Sequence, residues 1–316
     1  MPTPTDSLSG QLIVLIGGDG YFGTHIAQEL LARGARLRVV SRHPEKAFRL
    51  KPLGNLGALQ TVRADVTRPG AAAALVAGAD AVVNLAGAFT GDLEALHVRA
   101  AGALAAAAAA AGARAFVQVS ANGADADSRV AYARTKAQGE AAVLAAFPRA
   151  TVLRPSVIFG PDDQFINLFA GLIAKAPVLP VFGPEAKLQP VFVDDAAAAV
   201  AAALADPEAF GGQTFELVGP EVLTMFALNQ RIACAQGRKT LFAPLPDAAA
   251  KLIAALPLTP ISLDQLALLK AGNVSTGLPG LAELGIAARP LGLFLDRWMT
   301  RFRVHGRFGD KRGLAG

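Results

Sequence analysis

Leu12–Ile16 is an unbroken apolar run, and it ends in four glycines within seven positions: Gly17, Gly18, Gly20 and Gly23. A helix-like stretch over 21–33 follows, and a second apolar run covers 36–41. A buried strand that turns on glycines into a helix and returns as a second buried strand is a βαβ unit, which few folds accommodate. The spacing satisfies GxxGxxG (Gly17, Gly20, Gly23) and also GxGxxG (Gly18, Gly20, Gly23). Strand before and helix after give that spacing its meaning. Glycines permit positive φ in the turn and let backbone N–H groups approach a pyrophosphate, while the helix opening at Tyr21 and Phe22 adds its positive end. A P-loop is excluded, because Thr24 and His25 follow Gly23 where Lys-Ser/Thr is required.

The alternation continues. Strands are expected at 59–63, 80–84, 115–119 and 150–154, and helices near 69–77, 92–112, 129–146 and 162–175. Near-continuously apolar strands between helices predict an α/β fold, a Rossmann-type doubly wound parallel sheet. After Pro155 the pattern loosens into strands at 191–193 and 214–218, helices at 194–205 and 224–236, and a Pro-punctuated helical region over 244–271. The expected division is a dinucleotide-binding domain over 1–160, a smaller lobe sharing strands with it over 161–288, and a basic tail over 289–316.

The end of the second strand selects the nucleotide. NAD sites place Asp or Glu there for the ribose 2′-OH. Here the chain reads Val40-Ser41-Arg42-His43, which offers no carboxylate and a guanidinium able to clamp a 2′-phosphate, so NADP(H) is expected. Asp65-Val66 after the third strand and Leu85-Ala86-Gly87 after the fourth lie where the same pocket forms, or serve plain turn chemistry. Tyr132 and Lys136 form YxxxK at a helix start, an i, i+4 pair on one helical face. An ammonium beside a phenol is expected to lower the phenol's pKa and make it an acid/base group.

Composition narrows the class. The chain has 316 residues, 53% hydrophobic and 17% charged, with one cysteine, Cys234, and four histidines. That describes a core-rich globular protein with no intramolecular disulfide and no zinc-type cluster. Residues 1–10 have neither the basic start nor the apolar stretch of a signal peptide. The most apolar segment, 100–111, is short, alanine-rich and flanked by Arg99 and Arg114, so no membrane span is expected. From Arg289 onward seven Lys/Arg face only Asp296 and Asp310, which accounts for the whole net charge of +5. In that tail Leu291, Phe294, Leu295, Trp298 and Phe302 make one helical stripe beside Arg297, Arg301 and Arg303. Such a stripe either lies on an anionic membrane surface or packs on the second lobe with its arginines solvated.

GxxGxxG, Asn84-Leu85-Ala86-Gly87, YxxxK and Leu153-Arg-Pro-Ser-Val-Ile-Phe-Gly-Pro161 together resemble the extended or atypical short-chain dehydrogenase/reductase superfamily. Ser156–Asn167, Phe215-Glu-Leu-Val-Gly-Pro220, Pro244-Leu-Pro246 and the segment from Leu263 to Val274 resemble one branch of it. That branch comprises nucleotide-binding accessory subunits of respiratory complex I and their bacterial homologues, with relatives tied to ubiquinone biosynthesis. The resemblance implies that Ser120, Pro155 and Val157 join the cofactor contacts. Two departures bear on turnover. Asn122 stands where active members carry Ser or Thr, with Ser120 two residues early, and Arg99 stands where they carry an asparagine that organises a proton path.

The expectation is therefore an NADP(H)-binding protein that keeps its nucleotide as a structural or redox-sensing ligand. It would dock on complex I or a quinone-biosynthesis assembly, in the cytoplasm or peripherally on the cytoplasmic face of the inner membrane, with no nucleic-acid partner. The alternative is an active NADP-dependent oxidoreductase or epimerase, with Tyr132 as acid/base, Lys136 as its tuner and Asn122 as polariser. Its substrate would be an apolar carbonyl compound facing Phe159, Phe165, Leu168 and Phe169, residues that otherwise form lobe core.

Overall fold

The computed structural model describes residues 8–254 and 261–303. In chain order it runs β1 (Leu12–Ile16), α1 (Tyr21–Ala32), β2 (Arg36–Ser41), a 3₁₀ segment (Pro44–Leu53), β3 (Leu59–Arg63), α2 (Ala71–Val76) and β4 (Ala81–Asn84). A π-helical turn (Ala95–Arg99) then leads into α3 (Ala100–Ala110), β5 (Ala115–Val119), α4 (Ala131–Ala146) and β6 (Thr151–Pro155). Next come β7 (Ile158–Phe159), α5 (Ile166–Lys175), β8 (Val178–Val181), β9 (Lys187–Leu188), β10 (Val191–Phe192), α6 (Val193–Ala205), α7 (Pro207–Phe210) and β11 (Thr214–Leu217). The last elements are β12 (Leu223–Thr224), α8 (Met225–Ala235), β13 (Leu241–Pro244), α9 (Asp247–Ala254), α10 (Leu263–Ala271) and α11 (Gly292–Met299).

Two compact units result. The first extends to Pro155 and takes in Val193–Leu217 and Thr276–Ala287. It holds a seven-stranded sheet of order β3-β2-β1-β4-β5-β6-β11, parallel throughout. The strand order reverses between β1 and β4, the switch point at which such sheets bind ligands. The unit is discontinuous where the sequence suggests consecutive segments, because β11 supplies the seventh strand by pairing Thr214–Leu217 with Val152–Pro155. Helix α1 packs with α6, and α3 packs with both α2 and α4. The strands are buried as their apolar runs predict: Val14, Ile16, Val82 and Phe116 join Leu104, Val143 and the alanines of α3 in one core.

Small residues bring the helices close. An added Cβ at Gly139 in α4 would lie 2.1 Å from the carbonyl oxygen of His97, and one at Gly102 in α3 would lie 3.3 Å from the Ala142 Cβ. Only glycine at 139 lets α4 rest against the π turn, and that contact sets the height of Tyr132 and Lys136, two turns and one turn earlier.

The second unit comprises Ser156–Phe192, Val218–Ser275 and the chain from Ala288 on. It contains three two-stranded pairs, β7–β10, β9–β12 and β8–β13, and packs α5 and α11 against α8. The tail stripe is used inside this unit. Leu291, Leu295 and Met299 are buried, Phe294 stacks on Phe192 at 4.1 Å, and Trp298 stacks on Phe294 at 5.1 Å. Two of its three arginines are bonded too: Arg301 donates to the Pro161 carbonyl and Asn167 Oδ1, and Arg303 to the Ala235 carbonyl, while Arg297 is exposed. The stripe thus packs on its own lobe, because the neighbouring rings of Phe159 and Phe192 cover it. Arg307, Lys311 and Arg312 lie outside the described residues.

Candidate functional site

The C-terminal ends of β1–β6 in the first unit carry most of the residues singled out by sequence. Gly17 leaves β1 with φ +78°, and its amide donates to the Val40 carbonyl at 2.8 Å. An added Cβ at Gly23 would come within 2.6 Å of Gly18 Cα, so glycine there lets the turn fold back against α1. At Gly20 the nearest atom would be the Gly17 carbonyl oxygen at 3.5 Å, which leaves open space above the turn. Gly20 caps α1 without a side-chain hydrogen bond, and the first turn, with Tyr21, Phe22 and Gly23, carries no acidic residue. No acidic side chain of the first turn offsets the positive helix end, an arrangement suited to an anion.

Cations gather beside it. Ser41 is buried and its Oγ accepts from the His43 amide at 2.9 Å, which turns the chain so that Arg42 projects outward. The Arg42 guanidinium makes no hydrogen bond among the described residues, while its charge helps hold the Asp65 carboxyl below its usual pKa, after the larger effect of the Thr67 hydroxyl and amide. Arg63 and His43 are paired with Glu45. Arg49 belongs to no sequence motif. The 3₁₀ segment is anchored by buried Ala47 and Leu50, and it aims Arg49 at the glycine turn, where Nη2 donates to the Asp19 carbonyl at 3.2 Å and Thr24 Oγ1 at 2.6 Å. Two prolines disguise this segment as loop; Ala47 and Leu50, three apart, are the signal that it packs.

The chain after β4 crosses the switch point. Asn84 Oδ1 accepts from the Ala86 amide at 3.1 Å and its Nδ2 donates to Gln118, which shapes the turn. A Cβ on Gly17 would sit 3.5 Å from the Ala86 nitrogen, and one on Gly87 3.1 Å from Lys136 Nζ. Glycine turn, Leu85–Gly87 and Lys136 are thus contiguous.

Tyr132 and Lys136 share a face of α4, but the phenol is not activated. Burial pushes the Tyr132 pKa up to about 12, the reverse of the sequence expectation. The i, i+4 spacing leaves Lys136 Nζ 6.0 Å from the ring centroid, too far to offset lost hydration. Burial also lowers the Lys136 pKa to about 8, partly opposed by Glu140, while Nζ donates to the Val119 carbonyl at 3.3 Å. Glu140 is itself held by both nitrogens of an Arg154 fork, at 2.9 and 2.6 Å.

His97 and Arg99, both on the π turn, take different places. Arg99 is 59% exposed and paired with Asp92 and Glu94. His97, two residues earlier, is buried with its ring edge-on to Tyr132 at 5.7 Å. Two residues apart on this π turn, the two side chains point to different sides, His97 inward and Arg99 to solvent. The Ala88 amide donates to His97 Nε2 at 3.1 Å, so the ring's proton lies on Nδ1 and faces Thr135 Oγ1 at 2.9 Å. Burial, then the Lys136 charge, lowers the His97 pKa to about 4, and the ring is neutral.

Asn122 Nδ2 donates to Glu216 Oε1 at 3.3 Å, and the Glu216 carboxylate also accepts from the Thr276 amide and hydroxyl. The Asn122 amide thus binds β11 in the sheet. Ser120 Oγ is buried with no hydrogen-bond partner among the described residues, an available donor at the end of β5. Pro155 ends β6, its carbonyl accepting from the Asn122 amide. Val157 belongs to the second unit, where its amide donates to Asn273 Oδ1. These residues fit a nicotinamide dinucleotide: a glycine cradle, an open helix end, adjacent guanidinium groups, and an unsatisfied hydroxyl beside the Tyr–Lys face. No group of three metal-ligating side chains occurs among the described residues.

Comparison with known proteins agrees with this geometry. Residues 13–217, from β1 to the last strand of the sheet, match the model of the NAD dependent epimerase/dehydratase family. The mitochondrial NADH dehydrogenase [ubiquinone] 1 alpha subcomplex subunit 9 of Arabidopsis thaliana is 34% identical over 71% of this chain, a match spanning 58% of that protein's length. A ceramide reductase of Caulobacter vibrioides is 33% identical over 87% of this chain and 83% of its own. Among solved structures, Citrobacter triphenylmethane reductase complexed with NADP(H) superposes with a TM-score of 0.73 at 19% identity, covering 90% of this chain and 99% of that one, a likeness of fold. Glycine turn, strand order and Tyr–Lys helix therefore have one common explanation: the chain belongs to the NAD dependent epimerase/dehydratase family.

Proposed function

We propose that this protein binds NADP(H) in preference to NAD(H) and keeps it as a structural or redox-sensing ligand, acting as an accessory subunit on respiratory complex I or a quinone-related assembly. The carrying observation is the cation pair at the phosphate end: Arg42 free of hydrogen bonds among the described residues, and Arg49 at the glycine turn. A phosphorylated ribose accepts charge-assisted bonds from both, whereas the 2′-OH of NAD(H) finds no carboxylate on Ser41 or Arg42. Retention without turnover is supported by the raised Tyr132 pKa and by the Asn122 amide being bonded to Glu216. A nucleotide bound only by the folded state stabilises it by about 2.7 kcal/mol at a hundredfold excess over Kd, which is reason enough for a site to persist. The complex I reading is supported by the Arabidopsis relative. No helix among the described residues is long and apolar enough to cross a membrane, and a peripheral place on the inner membrane's cytoplasmic face belongs to the same reading. Mass spectrometry of protein purified without added nucleotide should find NADP(H), and affinity purification from native membranes should recover complex I subunits.

A second reading is an NADP-dependent reductase of an apolar carbonyl compound. It is favoured by the ceramide reductase relative and by Tyr132, Lys136 and the unpartnered Ser120 Oγ lying at one end of the sheet. When bound, the nicotinamide would supply hydride. This chain's residues would hold the ribose at Lys136 and donate a proton from the Tyr132 hydroxyl. NADPH oxidation with long-chain ketones, abolished by Tyr132→Phe, selects this reading; its absence selects the first.

A further inference from the structure

Tyr132 is half-buried, and the chain itself covers one face of its ring. The Phe89 ring lies on it with centroids 4.4 Å apart and planes 22° apart, while Phe89 is 57% exposed on its other side. Phe89 sits on the irregular segment between β4 and the π turn. Behind it, Gly87 is packed so closely that an added Cβ would come within 3.1 Å of Lys136 Nζ and 3.8 Å of His97 Nε2. Ahead of it, Gly91 has φ +93° with nothing within 4 Å of an added Cβ, a pivot in open space. Between these glycines the segment is tied to the helical side at Ala88, whose amide donates to His97 Nε2. His97 is fixed in turn: its other nitrogen meets Thr135 Oγ1, and that hydroxyl is anchored on the Ala131 carbonyl at 2.8 Å.

We propose that the segment from Leu85 to Gly91 is a cover over Tyr132, with Phe89 as its plate and His97 as its catch, so that a ligand reaches Tyr132 only when the cover lifts. The parts have the required properties. The plate is held by one face-to-face ring contact, which is easily broken and remade. The catch is a neutral acceptor aimed at one backbone N–H, set by a tautomer that buried neighbours enforce. The outer pivot, Gly91, is a glycine in open space, which absorbs the change in φ and ψ that lifting requires. A surface phenylalanine serving only as packing would need none of these. The proposal stands on the geometry of the loop and does not depend on which nucleotide the site holds.

The chain has two tyrosines, Tyr21 and Tyr132, so each can be followed separately. Full-length protein is treated with tetranitromethane, and nitration at each tyrosine is timed by peptide mass spectrometry. Phe89→Ala and His97→Ala should each speed nitration of Tyr132 by about tenfold, the scale set by removing one stacked aromatic ring, with Tyr21 unchanged. His97→Gln, which keeps an acceptor for the Ala88 amide, should stay close to wild type. Equal Tyr132 rates in wild type and Phe89→Ala would overturn the proposal, as would parallel acceleration of Tyr21, the mark of general loosening. Should a variant fail to fold, wild-type protein decides alone: Tyr132 reacting as fast as a tyrosine in a short unfolded peptide would show that nothing covers it.

Discussion

Replacing Gly139 by alanine tests the contact that positions Tyr132 and Lys136. In the interior of α4, helix propensity alone favours alanine by about 1 kcal/mol. Here the added Cβ would lie 2.1 Å from the His97 carbonyl oxygen and 3.0 Å from its carbon. Relief needs a displacement of about 1 Å between α4 and the π turn, and strain of this kind in a packed interior costs about 1–3 kcal/mol. The net expectation is a loss of about 0–2 kcal/mol, with the His97 contacts to Ala88 and Thr135 disturbed. Two other helical glycines calibrate the reasoning. Gly171 in α5 has nothing within 4 Å of an added Cβ, so Gly171→Ala should stabilise by about 0.5–1 kcal/mol. Gly102 is intermediate, with the Ala142 Cβ at 3.3 Å, and its replacement should be near neutral. Urea unfolding followed by circular dichroism ranks the three. If Gly139→Ala is as stabilising as Gly171→Ala, the close approach of α4 and the π turn is wrong, and with it the placement of His97.

The remaining predictions concern charge. His97 is neutral in the fold with a pKa near 4, below its unfolded value, so from about pH 6.5 down to 4 the unfolded chain binds the extra proton and stability falls, by on the order of 3 kcal/mol in full. Urea midpoints at pH 7 and pH 5 should therefore differ more in wild type than in His97→Gln; equal differences would place His97 in water. Glu140→Gln leaves the Arg154 fork half-paired and should cost about 2 kcal/mol. Because Glu140 supports the charged form of Lys136, the same change should lower the Lys136 pKa further below 8, measurable as faster acylation of Lys136 at pH 7. Unchanged acylation would mean that the two groups do not interact.

What the sequence discloses, it discloses through periodicity and glycine spacing. Apolar runs at β1, β2, β4 and β5 and the turn at Gly17–Gly23 specify the parallel sheet and its switch point, because buried strands and phosphate turns admit few substitutes. Features that depend on through-space distance are not legible there. YxxxK puts two side chains on one face but does not set the gap between hydroxyl and ammonium, so the spacing points the Tyr132 shift in the wrong direction. The resemblance draws attention to Arg99, whereas the buried group beside Tyr132 is His97, on a π turn that no sequence pattern announces. The tail's period is plain in the sequence, yet period cannot name a partner: the rings of Phe159 and Phe192, a hundred residues earlier, fill that role. Arg49 is hidden because its 3₁₀ segment begins at Pro44 and contains Pro52, punctuation that reads as loop.

Calorimetric titration of the full chain with NADPH and with NADH tests the central claim. The exposed guanidinium of Arg42 and the Arg49 contact at the glycine turn predict that NADPH binds at least about tenfold tighter, a difference of roughly 1.4 kcal/mol. Arg42→Ala should erase most of that preference, since it removes the cation proposed to face the 2′-phosphate. Equal affinities in the unmodified protein, or a preference that survives Arg42→Ala and Arg49→Ala together, would contradict the account.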